Sequence, residues 1–173
     1  VQFAGSSQYG PLQTNGTRPE GADFNDYLGI PWTYTGQDQP EPQEFQSLDC
    51  SGFIRMVFGY RLGLPLSLTF TDGLRIPRTT ANITVAGPGI LAIPHSGASP
   101  PSTGDLSKLL PGDILCFDAD TSNPDEEEGQ IDHAGIYLGL DTQGRHRFIS
   151  SRKTANGPKL TDIGGNSTVA DSG

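Results

Sequence analysis

"SLDCSGFIRMVFGY", residues 47–60, is the stretch on which the fold turns. After Cys50 the apolar residues Phe53, Ile54, Val57, Phe58 and Leu62 recur at helical spacing, and Cys50 shares a stripe with Ile54 and Val57. Asp49 is placed to cap the first turn, and Gly59, Gly63 and Pro65 supply stop signals. One of two cysteines therefore stands at the first position of a helix. There it meets unpaired backbone N–H groups and the positive end of the helix dipole. Such a setting is expected to lower a thiol pKa and favour the nucleophilic thiolate.

Downstream the period changes from helix to strand. "GDILCF" (112–117), "HAGIYLG" (133–139) and "RHRFIS" (145–150) read as three strands, the last two joined by the Gly-containing loop "LDTQG". Between the first two lies the acidic loop 118–132, with Asp125, Glu126, Glu127 and Glu128 in one run, which reads as a solvated loop. Upstream, "FNDYLGIPWTYTG" (24–36) holds one short helical turn before Pro31 and a loop carrying Trp32 and Tyr34. Residues 1–22 are rich in Gly, Ser, Gln, Thr and Asn and read as an irregular lead-in, with the domain proper at 23–173. Residues 66–108 look mostly irregular, and the tail after Lys159 is weakly patterned. One helix followed by an antiparallel meander is an α+β arrangement.

The totals bound the function. A chain of 173 residues suits one domain, and 34% hydrophobic content with 23 Gly and 14 Pro predicts much loop around a modest core. A net charge of −9 argues against binding nucleic acid or anionic lipid, both of which need basic clusters. No apolar run is long enough for a membrane span, and no signal peptide is visible. The start at Val1 fits a processed or trimmed chain. His95, His133 and His146 show no close ligand spacing with either cysteine, so no metal or other cofactor is expected.

Cys116 sits mid-strand between Leu115 and Phe117 and reads as structural. For Cys50 the pattern supplies one partner, His133, at the first residue of a strand. A histidine there faces a cleft while Ala134, Ile136 and Leu138 pack the opposite face. A cysteine nucleophile with a histidine base is the minimum for acyl transfer. Spacing alone leaves two readings of Cys50 open, nucleophile or small buried hydrophobe, and a Cys50–Cys116 disulfide is a third state that would silence it.

The motifs together are more specific. "LDCSGFIRMVFGYRLGLPL" resembles the Asp-Cys-Ser-Gly helix start of the NlpC/P60 cysteine peptidases. "LPGDILCF" resembles that family's Leu-x-Pro-Gly-Asp-Leu segment, "DHAGIYLG" its Ser-His-Val-Gly-Ile-Tyr strand, and "RHRFISS" its Phe-Ile-His segment. "IPWTYTG" and "IPRTT" are similar to its aromatic Pro-Tyr-x-Trp-Gly-Gly and Leu-Pro-Arg-Thr-Ser segments, so the likeness spans about residues 27 to 155 in the family's order. It implies a papain-like α+β fold with the cysteine's helix packed on an antiparallel sheet. It implies hydrolysis of amide bonds in cell-wall stem peptides, commonly between γ-D-glutamyl and a meso-diaminopimelyl or lysyl residue, by a secreted or cell-surface protein. Carried over by residue, Cys50 is the nucleophile and His133 the general base. Asp49 and Ser51 contact the stem peptide, Asp49 also as helix cap, and Trp32, Tyr34 and Arg78 line the cleft. The oxyanion would be held by the Cys50 N–H and a second donor, Trp32 or Tyr34.

One position departs from that pattern. The residue that orients the histidine, often His, Asn or Gln, falls on Ser150, whose hydroxyl adds no charge to steady an imidazolium. His146 lies four residues earlier on the same strand and is too far along it to substitute. The leading expectation is a monomeric peptidoglycan peptidase. The alternative is a catalytically inactive member of the same fold that binds wall peptides or regulates.

Overall fold

The structure is a computed structural model and describes residues 7–69, 71–94, 101–119, 130–153, 157 and 168–169. Helix α1 (Phe24–Leu28) opens on a reciprocal cap, in which the side chain of Asp23 holds the first turn and Asp26 bonds back to the Asp23 N–H. It ends at Gly29, whose φ of 66° is the left-handed conformation that glycine adopts without strain. Strands β1 (Trp32–Thr33) and β2 (Gln37–Asp38) form a two-residue ladder where the sequence reads as loop.

Helix α2 (Cys50–Ile54) begins where expected, with Asp49 extended and accepting the Gly52 N–H at 2.6 Å. A Cβ at residue 52 would run into the carbonyl oxygen of Ala22, so only glycine lets the helix start lie this close to the chain before α1. The helix then widens into a π-helix over Arg55–Arg61, with the Leu62 N–H reaching the Val57 carbonyl at 3.1 Å. The widening corrects the expected apolar stripe. It turns Arg55 and Met56 fully inward, leaves Val57 and Phe58 half-buried, and puts Leu62 68% exposed.

Strands β3 (Ile114–Phe117), β4 (His133–Leu140) and β5 (His146–Ile149) form an antiparallel sheet in that order, matching the three expected strands to within two residues. Ala134 and Ile136 project into the core with Phe24, Leu48, Phe53, Ile54 and Met56, while Ile114, Cys116 and Ile149 pack beside them. Leu138, expected on the same buried face, is 40% exposed. A bulge at Tyr137–Gly139, with Gly139 at φ 104°, breaks the alternation there. The result is a mixed α+β domain in which α2 lies on one face of the sheet.

Residues 66–108 contain more helix than their periodicity indicates. Helices α3 (Thr80–Ala86) and α4 (Thr103–Leu106) are too short for a hydrophobic stripe and are set by the side-chain caps of Thr79 and Ser102. Residues 7–22 carry no helix or strand, yet Leu48 N–H reaches the Gln8 carbonyl at 2.7 Å and Gln8 N–H the Gln46 carbonyl at 2.8 Å. Ser7 and Tyr9 are buried against the approach to α2. The acidic run at 125–128 and His95 lie outside the described residues.

Beside this N-terminal segment lies a buried acid that the fold holds unusually. Glu44 ends the 3-10 turn Pro42–Glu44, its Oε1 close to Gly21 and its Oε2 without a hydrogen-bond partner among the described residues. Burial first, then Glu41 and Asp26, push its pKa from 4.5 up to about 7. The folded chain thus keeps a proton that the unfolded chain has released. Stability from Glu44 is complete below the lower value and is lost as pH rises through the upper. Glu44→Gln is therefore expected to raise the unfolding free energy at pH 8, by on the order of 1–2 kcal/mol, and to leave it unchanged at pH 4. Thermal unfolding at the two pH values measures this, and an equal effect at both would exclude ionisation as the cause.

Candidate active site

The start of α2 is built on saturated charge. Asp49 Oδ1 accepts from Gly52 N–H and, at 3.0 Å, from Ser51 Oγ, while Oδ2 accepts from Gly21 N–H at 3.0 Å and from Arg78 Nη2 at 2.9 Å. Arg78 also donates to Ser51 Oγ at 2.7 Å and to the Gly21 carbonyl, and its Nε lies 3.7 Å from Asp23. Arg78 first, then hydrogen bonds from Arg78 and the backbone, hold the Asp49 carboxyl below its ordinary pKa against the cost of burial. Asp49, Ser51 and Arg78 are thus brought together next to Cys50. The Asp49 carboxylate that was expected to contact the stem peptide is already paired with a guanidinium of the chain itself.

Cys50 and Cys116 are both free thiols, and Cys50 is 6% exposed. Its sulfur lies 3.4 Å from Thr80 Oγ1 and 3.7 Å from the Asp132 carbonyl, and the Ala134 N–H also reaches it. Asp132 and Ala134 are the two chain neighbours of His133, so α2 meets the sheet at the first residue of β4. Burial first, then the Asp49 carboxylate, raise the Cys50 thiol to about 11. This corrects the expectation of a lowered thiol pKa, because the helix start is already neutralised by its acidic cap and little water reaches the sulfur.

His133 shares a sheet face with Phe117, Phe148 and Ser150. It pairs with Phe117 across the ladder, and the two rings meet edge-on at 5.2 Å. Burial first, then the Arg152 guanidinium, lower its pKa to about 4, so its imidazole is neutral at physiological pH. No hydrogen bond joins the sulfur to the imidazole among the described residues. Ser150 is fully buried beside Gly135, where a Cβ would come within 3.3 Å of the serine Cβ, and its hydroxyl accepts from Arg152 Nε at 2.9 Å. The oriented group at the third position is thus a serine tied to a cation. Arg152→Gln is expected to move the His133 titration upward, and NMR titration of the ring protons measures it. An unmoved midpoint would show that the guanidinium does not act on the imidazole.

Trp32 and Tyr34 lie in another cluster. Trp32 packs edge-on against Phe24 at 4.9 Å and Tyr60 at 5.8 Å, and the Tyr34 hydroxyl takes a hydrogen bond from Arg55. Neither has a hydrogen bond to Cys50 among the described residues. His146 bonds Tyr137 Oη through Nδ1 at 2.7 Å, at the other end of β4. Thr80, Tyr9 and Glu20 escape the sequence reading. Thr80 was within the "IPRTT" segment, but Tyr9 and Glu20 come from a stretch that carries no pattern. Among the described residues no group of three or more His, Cys, Asp or Glu is placed to hold a metal, and no helix is long and apolar enough to cross a membrane.

The sequence matches the family model described as NlpC/P60 family over residues 29–166. No curated protein and no solved structure matches the chain.

Proposed function

Since the chain belongs to the NlpC/P60 family, whose members are in general cell-wall peptidases, we propose that it is a cysteine endopeptidase that cuts the γ-D-glutamyl–diamino acid amide of peptidoglycan stem peptides. The observation that carries this reading is the placement of the Cys50 sulfur, at the start of α2, against the backbone on both sides of His133. A raised thiol and a lowered imidazole are both neutral at rest, which suits general-base catalysis. His133 takes the thiol proton as sulfur attacks the amide carbon. The oxyanion forms near the Cys50 N–H, and the imidazolium gives its proton to the leaving amine as the C–N bond breaks. Water, deprotonated by His133, then cleaves the thioester and restores the thiol. Asp49, Ser51 and Arg78 form the rigid floor on which the stem peptide lies. The protein acts as a monomer outside the cytoplasm, where that substrate is found.

Incubation with purified stem peptides tests this by mass spectrometry. A new amino terminus on the diamino acid, produced by the native chain and not by Cys50→Ala, is expected. Equal products from both chains would remove Cys50 from the chemistry. One observation favours a second reading, a silent module that binds wall peptides: the Ser150 hydroxyl is engaged by Arg152, whose charge opposes the imidazolium that the reaction requires. Saturable peptide binding with no turnover by the native chain is the result that selects it.

A further inference from the structure

Two charged side chains converge on the start of α2 from segments distant in sequence. Gly21 N–H bonds Asp49 Oδ2 at 3.0 Å and the Ala22 carbonyl takes the Asp49 N–H at 2.9 Å, which plants Glu20 beside the cap of the Cys50 helix. From the other side, the Ser151 hydroxyl donates to the Leu48 carbonyl and brings the chain after β5 to the same place. Lys153 Nζ lies 2.8 Å from Glu20 Oε1. Tyr9 is buried beneath the pair, its hydroxyl donating to Glu20 Oε1 at 3.2 Å and its ring 5.9 Å from Lys153 Nζ. Both ends of the pair remain open to water, at 63% exposure for the Glu20 side chain and 57% for Lys153. These backbone ties place the pair at the cap of the helix that carries Cys50, and the charges of Glu20 and Lys153 both act on His133.

We propose that Glu20 and Lys153 are specificity-determining residues that receive a zwitterionic amino-acid headgroup of the substrate, its ammonium on Glu20 and its carboxylate on Lys153. The inference rests on the peptidase reading and deepens it. Asp49 is closed to an ammonium by Arg78, whereas Glu20 is an exposed carboxylate at the same helix start. An exposed ion pair is weak and exchanges readily for other charges of the same signs. Tyr9 fixes the carboxylate from below, so little side-chain freedom is lost when the ammonium arrives. In stem peptides a free ammonium and carboxylate on one carbon occur on the side chain of meso-diaminopimelate, while lysine offers the ammonium alone. The chain should therefore prefer the diaminopimelyl peptide.

The test compares L-Ala-γ-D-Glu-meso-diaminopimelate with L-Ala-γ-D-Glu-L-Lys, and each with its N-acetylated form to separate the side-chain ammonium from that of the peptide terminus. Binding is measured on Cys50→Ala and cleavage on the native chain. A preference of about 5- to 10-fold for the diaminopimelyl peptide is expected, on the scale of one partly exposed charge contact. Lys153→Met should abolish that preference, and Glu20→Gln should weaken both peptides alike. Acetylation of the peptide terminus should leave these patterns unchanged. Discrimination that survives Lys153→Met, or that vanishes on acetylation alone, overturns the clamp and leaves the peptidase reading standing. Charge-dependent binding lost in the variants without any cleavage supports the clamp and overturns the peptidase reading. Absence of both binding and cleavage overturns both. A purely structural role for the pair would alter thermal stability and lower binding of the two peptides by the same factor in both variants.

Discussion

Replacing Cys50 by alanine is expected to lower stem-peptide cleavage by about 10⁴-fold or more, with little change in fold or unfolding midpoint. The contrast follows from what the sulfur does and does not hold up. Its contacts to Thr80 and the Asp132 carbonyl are long and weak, alanine is well tolerated in a first helical turn, and the Asp49 cap does not depend on residue 50. The proposed chemistry uses no nucleophile besides the Cys50 sulfur. The pH dependence separates the proposed neutral pair from a preformed ion pair. With the thiol at about 11 and the imidazole at about 4, the resting pair is uncharged between those values. Catalysis needs the neutral imidazole as base, so kcat/KM should fall as pH drops through about 4 and stay level across neutrality. Alkylation of Cys50 by iodoacetamide in the free protein should keep accelerating as pH rises beyond 8, because each unit still releases more thiolate. A rate already level at pH 6 would mean that the thiol is ionised at rest, and the general-base account would fail.

The local chemistry of this site could be read from residues that act over a few positions. Asp49 announces the cap of α2, and Gly52 is the residue that allows the close approach to Ala22. The strands around His133 showed in their alternation, and the family's motif order added the rest. What stayed hidden depends on contacts between distant segments. Nothing in "FIRMVFGYR" signals the π-helix, which follows from packing around Arg55 and re-phases the apolar stripe. Glu20 reaches the site because backbone bonds from Gly21 and Ala22 hold it there, and such bonds leave no mark on side-chain pattern. The raised thiol pKa is hidden from the sequence for a related reason. A helix N-terminus favours an anion, but here the capping carboxylate is itself the anion, and the pairing of Asp49 with Arg78 across 29 positions is not visible in a linear reading. Arg152 likewise stands two residues after Ser150 in sequence, yet its effect on His133 appears only when β5 is laid against β4.

The largest effect on stability is expected at Arg55. This side chain is fully buried and ties four parts of the chain together. Its Nε donates to both oxygens of Asp23, at 2.9 and 3.1 Å, and its Nη1 to the carbonyls of Ser67 and Ile76, at 2.7 and 2.8 Å. Its Nη2 donates to the Tyr34 hydroxyl, and its guanidinium lies over the Phe24 ring at 5.8 Å. Leucine at 55 would leave the buried carboxylate of Asp23 with only the Phe24 and Asp26 N–H groups and the more distant Arg78, so Arg55→Leu should cost about 3–5 kcal/mol in urea unfolding. Lysine keeps the charge but has one nitrogen for donors that point in three directions, so Arg55→Lys should recover less than half of the loss. Most of the penalty belongs to the stranded carboxylate. The double variant Asp23→Asn/Arg55→Leu should accordingly be less destabilised than the sum of its parts, with a coupling of about 1–3 kcal/mol. Additive single effects would place the stabilisation in the apolar contacts of the guanidinium with Phe24 and Tyr34 instead. The consequence reaches the site through Arg78, which shares Asp23 with Arg55 and also holds Asp49 and Ser51. In the folded fraction of Arg55→Leu, Arg78 is drawn toward Asp23 and away from the helix start. KM for the stem peptide should therefore rise more than kcat falls.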